Sequence, residues 1–235
     1  MCGRFALSAK TSQIEKLLPG LKIDGEIKPR YNIAPTQKVK VILNTIPDKI
    51  VEAQWGLLPS WAKDKTLSSK MINARVETLL EKPSFKNAFK KKRCLIIADA
   101  FYEWKEDKQS KTKTPYLIKL KSGEPFTFAG LWDIWVDKES SDKEEILSTT
   151  IITTEPNELM ATIHNRMPVI IPENLREIWL DSNSDPLELQ KLISVPYKSE
   201  EMIAYEISKI VNNPANDDIS CQLTRETIIG SNKQC

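Results

Sequence analysis

Seven segments of strand length limit what this chain can fold into: residues 39–43, 50–55, 94–98, 116–120, 126–131, 147–153 and 203–207. Segment 94–98 is apolar throughout and 39–43 nearly so, the pattern of strands covered on both faces. Segment 50–55 alternates, with Val51, Ala53 and Trp55 on one face; Tyr116, Ile118 and Leu120 alternate likewise, as do Ile203, Tyr205 and Ile207. Residues 126–131 read as the hairpin partner of 116–120. Helical periods are few and short. One spans 8–18, with Ser12 and Glu15 at capping-box spacing and Pro19-Gly20 as its stop. Phe85, Ala88 and Phe89 mark a second, ending in the Lys90-Lys91-Lys92-Arg93 run, and 156–163 reads as a third that delivers His164. Leu175, Ile178 and Trp179 define a fourth, and Leu187, Leu192 and Ile193 a fifth. Strand–helix–strand alternation is rare, and no linker or repeat divides the chain. The expectation is one α+β domain over 1–235, a mostly antiparallel twisted sheet with peripheral helices and an irregular tail after about 217.

Several function classes drop out. The seven glycines are all isolated, so there is neither a dinucleotide-binding fingerprint nor a Walker loop, and no nucleotide or other small-molecule cofactor is expected. With one histidine and four cysteines (2, 94, 221 and 235) at no ligand spacing, no metal site is expected either. No apolar run reaches membrane-span length and no signal sequence precedes the chain, which points to a cytoplasmic protein with reduced thiols and no membrane partner. Charge is unevenly spread: residues 1–121 carry 25 Lys/Arg and 12 Asp/Glu, the remainder 9 and 20. Such a split suits one basic face that attracts a polyanion, although both sets can equally interleave on a solvated surface.

Candidate chemistry begins at Cys2. Removal of Met1 leaves an α-amine and a thiol on adjacent carbons, a pair able to capture an aldehyde twice, first as an imine and then as a five-membered thiazolidine. An α-amine titrates near about 7.7–8.0, so part of it is nucleophilic at neutral pH. Such capture needs an acid/base. Glu103, between Tyr102 and Trp104 after an apolar strand, has walls able to raise its pKa. His164 can relay a proton or stabilise an oxygen, yet a lone histidine at a helix end is more often a cap. Asn73 can orient the amine or serve as a turn residue. Arg4 and Arg75 can grip phosphates, or form ordinary surface ion pairs. Trp55, Trp61 and Trp104 can stack on unpaired bases, whereas the core is the simpler place for Trp132, Trp135 and Trp179.

Taken together, these residues fall in ordered blocks. They are Met1-Cys2-Gly3-Arg4-Phe5, Tyr31-Asn32-Ile33-Ala34-Pro35-Thr36, Trp55-Gly56-Leu57-Leu58-Pro59-Ser60-Trp61-Ala62, Asn73-Ala74-Arg75-Val76-Glu77-Thr78, the stretch from Arg93 to Trp104, Gly130-Leu131-Trp132, His164-Asn165-Arg166-Met167-Pro168-Val169-Ile170 and Val211-Asn212-Asn213. In this order they resemble the SRAP (SOS response-associated peptidase) family of abasic-site-processing proteins, from Met1 to about Asn216. The resemblance implies a twisted, barrel-like set of strands and a monomer that binds single-stranded DNA containing abasic sites, partly on the nucleoid. It implies a thiazolidine crosslink through Cys2 that shields the lesion, assisted by Asn73, Glu103 and His164. Arg4 and Arg75 match phosphate-gripping positions, and Trp104, Trp61 and Pro35 match residues that shape the bound strand. Ile97, Ala100 and Val76 stand where the family pattern has Pro, Gly and Ser. Two other readings stay open: a thiol peptidase acting on its own N-terminus or a small peptide, and a reversible, salt-sensitive single-strand binder.

Overall fold

The computed structural model describes residues 2–23, 25–137 and 143–224. β1 (Phe5–Leu7), α1 (Thr11–Leu17), β2 (Arg30–Ile33), β3 (Lys38–Leu43), β4 (Ile46–Trp55) and β5 (Asn73–Arg75) come first. After α2 (Pro83–Lys91) come β6 (Arg93–Ala98), β7 (Ala100–Glu106), β8 (Lys113–Leu120), β9 (Phe126–Val136) and β10 (Glu145–Thr154). Then follow α3 (Glu158–Ala161), β11 (Met167–Pro168), β12 (Ile170–Ile171), α4 (Arg176–Leu180), α5 (Pro186–Ser194) and β13 (Met202–Glu206).

These strands make one α+β domain of two sheets. β10, β4, β3, β6 and β9 pair in that order, and β9 pairs back onto β10, closing a five-stranded barrel. The second sheet runs β13-β8-β7-β1-β2. Pairing is mostly antiparallel, but the barrel closes through a parallel pair, Ser148 with Gln54 and Thr149 with Trp55, and β5 also lies parallel to β10. One expected pairing is overturned. β9 is not the hairpin partner of β8: it pairs with β6 and β10, whereas β8 pairs with β7 and β13. Phe126, Phe128, Ala129, Gly130 and Leu131 are all buried, and an edge hairpin would have left one face of that run in water.

Local starts and stops also differ from expectation. α1 is closed by Gln13, whose side chain accepts the Lys10 N–H at 3.0 Å, rather than by Ser12 and Glu15. The helix expected over 156–163 is the single turn α3, capped by Asn157 Oδ1 on the Met160 N–H. The motif stretch 31–36 overlaps β2 (Arg30–Ile33). Ile97 and Ala100 sit as ordinary buried strand residues, paired with Thr127 and Ala6.

Aromatic rings join the two sheets. Phe5 of β1 meets Trp55 and Phe128 of the barrel edge-on, at 5.1 and 5.7 Å, and Phe101 meets Phe128 at 6.0 Å. Burying one such ring is worth roughly 1.5–3 kcal/mol. The chain's beginning is therefore a central strand of the second sheet, with β2 on one side and β7 on the other. Asp99 ties its far end, accepting from the Ser8 N–H and hydroxyl at 2.6 and 2.8 Å. Among the described residues, no helix is long and apolar enough to cross a membrane.

Candidate active site

Main-chain register brings Cys2 to Glu103. β1 runs antiparallel to β7, with Phe5 opposite Phe101 and Ala6 opposite Ala100. The Tyr102 N–H extends that ladder to the Arg4 carbonyl at 3.0 Å. Cys2 thus reaches the part of β7 that carries Glu103, and both side chains are buried, at 0% and 2% exposure. Burial pushes the Cys2 thiol well above its ordinary range, and the Glu103 carboxylate adds to that shift. Burial likewise raises the Glu103 carboxyl, against an opposing pull from His164. Glu103 thus interacts electrostatically with both Cys2 and His164.

The barrel supplies Asn73 and His164. β5 lies beside the C-terminal half of β10, with Asn73 opposite Ile151, and the Asn73 side-chain amide donates to the Cys2 carbonyl at 2.8 Å. Its Oδ1 is buried and has no hydrogen-bond partner among the described residues. His164 follows α3, its N–H bonded to the Met160 carbonyl at 2.8 Å. Nδ1 faces the Arg166 N–H at 3.1 Å and the Arg166 carbonyl at 3.3 Å. Nδ1 can accept the Arg166 N–H when it carries no proton, and donate to the Arg166 carbonyl when it does.

Two residues quoted only as motif members prove to hold this arrangement. Arg166 forms a bidentate pair with Glu77 at 2.5 and 3.0 Å and donates to the Thr153 carbonyl at 2.7 Å. It thereby joins the segment after Asn73, the loop of His164 and β10. The pattern N-x-R…H-N-R-M-P held the signal, but nothing in it shows that Glu77 and Arg166 pair across 89 residues.

The strand-shaping candidates divide. Arg4 is partly buried and already engaged: Nη1 donates to Asn32 Oδ1 at 2.7 Å and to the Val211 carbonyl at 2.8 Å. Its guanidinium lies 5.9 Å from the Trp104 ring, and Trp104 Nε1 donates to Asn212 Oδ1 at 2.8 Å. Arg75 is exposed next to Asn73 and makes no salt bridge among the described residues. Pro35 is half-buried in a turn whose next residue, Thr36, has φ +72°. Trp61 is 58% exposed beside Ala62, Lys63 and Lys65, whereas Trp55, Trp132, Trp135 and Trp179 are buried. A groove of about 620 Å³ between Leu17–Leu21 and α4 contains none of these residues. Cys2, Cys94 and Cys221 are free thiols, and Cys235 lies outside the described residues. Among the described residues, no three His, Cys, Asp or Glu side chains are placed to hold a metal ion.

Comparison with known proteins gives concordant results. Residues 1–214 match the family model described as SOS response associated peptidase (SRAP). The chain is 46% identical over 224 residues to abasic site processing protein YoqW of Bacillus subtilis, covering 92% of this chain and 96% of that one. It is 29% identical to abasic site processing protein HMCES of Gallus gallus, covering 94% of this chain and 77% of that one. A crystal structure of a Bacteroides thetaiotaomicron protein superimposes with TM-score 0.84 at 29% identity, covering 95% of this chain and 99% of that one.

Proposed function

The chain belongs to the SRAP family, and from that premise we propose that it processes abasic sites in DNA by crosslinking itself to them through Cys2. The observation that carries this reading is the Asn73 amide on the Cys2 carbonyl, beside a buried Glu103. Loss of Met1 exposes the amine of Cys2. The amine nitrogen attacks the aldehyde carbon of the opened abasic sugar, giving a carbinolamine. Glu103 donates a proton to the departing hydroxyl, and water leaves as the imine forms. The Cys2 sulfur then adds to the imine carbon while its proton passes to nitrogen. One water is released, and nothing is oxidised or reduced. Asn73 orients the amine, with its unpartnered Oδ1 as the acceptor for an ammonium or carbinolamine hydrogen. His164 supports proton transfer at Glu103 and the opened sugar oxygen.

The substrate in this reading is single-stranded, and a monomer acts on it. Arg75, exposed next to Asn73, fits a phosphate flanking the lesion, and Trp104, Trp61 and Pro35 fit its neighbouring bases. The thiol-peptidase reading weighs less. A peptidase cysteine works as a thiolate, and burial together with Glu103 drives the Cys2 thiol the other way. Imine chemistry asks first for the amine, and a protonated thiol carries the hydrogen that the ring nitrogen finally takes.

The deciding experiment incubates purified protein with an abasic single-stranded oligonucleotide. A denaturing gel is expected to show a shifted band for the wild type and none for Cys2→Ala. Intact mass is expected to show loss of Met1 and an adduct one water lighter than the sum of its parts. Equal bands for the two proteins, or retained Met1 in the crosslinked species, would refute the proposal.

A further inference from the structure

We infer that Asn32 is a positioning residue that holds the Arg4 guanidinium in place without neutralising it, so that a strand phosphate supplies the missing counter-charge. This rests on the single-strand reading above and deepens it. The arginines that hydrogen-bond within the chain are held in different ways. Arg93, fully buried, donates from Nε to the Trp179 carbonyl, from Nη1 to those of Phe89 and Lys90, and from Nη2 to that of Asp181. Arg30 donates from Nε to the Asp217 carboxylate and from Nη2 to Gln37. Arg4 has described acceptors for Nη1 alone, both of them neutral, and its Nε is buried without a partner. The groups whose fields favour its charge are the Cys221 thiol and the Tyr102 phenol, and burial keeps both protonated. A half-buried cation with no carboxylate and an unused donor is incomplete as a structural clamp.

Asn32 can point only one way. Its side chain is fully buried, and Nδ2 faces three carbonyls, those of Val211, Asn213 and Asn216, at 3.2, 3.0 and 2.7 Å. Oδ1 must therefore face Arg4. The nearby carboxylate, Asp217, is turned away, spent on the Tyr31 and Asn32 N–H groups and on Arg30. An ionised acid at position 32 has the same shape and would cancel the Arg4 charge, while setting its second oxygen against the three carbonyls. The amide supplies the hydrogen bond and leaves the charge available.

The test compares Asn32→Asp with Asn32→Ala. Both lose the Nδ2 donors to the 211–216 segment, so both share any loosening of it, and they differ in the charge set against Arg4. The measurement is the salt dependence of binding to an undamaged single strand, which needs no aldehyde. Each phosphate contact contributes a slope of about 0.7 on single strands. Asn32→Asp is expected to lose about 0.7 of slope relative to Asn32→Ala, and so to shed roughly 2.6-fold less affinity over a fourfold rise in salt. Adding Arg4→Gln should erase that difference. Equal slopes for the two variants, or a difference that survives Arg4→Gln, would overturn the inference. A wild type without salt-dependent binding would instead overturn the single-strand reading beneath it.

Discussion

The Asn73 side-chain amide reaches from the barrel to the Cys2 carbonyl in the neighbouring sheet, a 2.8 Å bond that fixes the chain's second residue from outside its own sheet. Asn73→Ala removes this tether and the buried Oδ1 acceptor together. A displacement of about 1 Å at a reacting centre can cost on the order of 10²-fold in rate. Single-turnover crosslinking should therefore slow by about 10–100-fold, while affinity for an undamaged strand, measured by anisotropy, stays within about twofold.

Glu103 yields a prediction in which stability and activity move in opposite directions. Burial raises its carboxyl in the folded chain, with His164 opposing. The folded state then holds the proton more tightly than the unfolded one, so folding loses stability as pH rises from the ordinary carboxylate value through the raised one. Glu103→Gln has no such loss. The variant should melt above wild type at pH 8. The gap should close below about pH 4, near the unperturbed value. Crosslinking should fall at every pH.

The Glu77–Arg166 pair should be needed for an ordered His164 loop. Burial acts to raise the Glu77 carboxyl, but the hydrogen bond and charge of Arg166 outweigh it, and the net shift is downward. Its contribution is therefore present above the ordinary carboxylate range and lost as pH falls through the depressed value. Glu77→Gln should speed amide hydrogen exchange over 164–167 at pH 7 and slow crosslinking by about tenfold. Unchanged exchange would show that the loop is held by β11 alone.

Arg93 tests the fold apart from the chemistry. Its four carbonyl partners lie at the C-terminal ends of α2 and α4. Arg93→Leu leaves them buried and unpaired, at a cost of about 3–5 kcal/mol. Thermal denaturation should fall by roughly 10 °C. Any protein that still folds should crosslink at the wild-type rate, because none of these contacts reaches Cys2.

The sequence conveyed strand locations better than strand partners. Alternation at Tyr116, Ile118 and Leu120 located β8, but period two is the same whichever strand lies alongside, so the pairing of β9 with β6 and β10 was illegible. Cys2, Asn73, Glu103 and His164 stood out as candidates by chemistry and by family pattern; the structure sets Asn73 on the Cys2 carbonyl and Glu103 within the electrostatic reach of Cys2 and His164. The residues that hold them were not readable. Glu77, Arg166 and Asn32 look like surface polar residues, and their roles arise from contacts across 89 residues for the first pair and 28 for Asn32 with Arg4. Arg4 itself turned out half committed to its own chain, a state that a lone arginine after glycine does not announce.

β10 acts as a ruler. Asn73 is registered on it opposite Ile151, and the strand that follows His164 is registered opposite Thr153 and Thr154. Because side chains alternate faces residue by residue, one amino acid inserted or deleted between Ser148 and Thr154 would turn the strand over relative to one set of neighbours. Lineages of this protein should accept length changes freely around 105–112, between β7 and β8, and almost never within those seven positions.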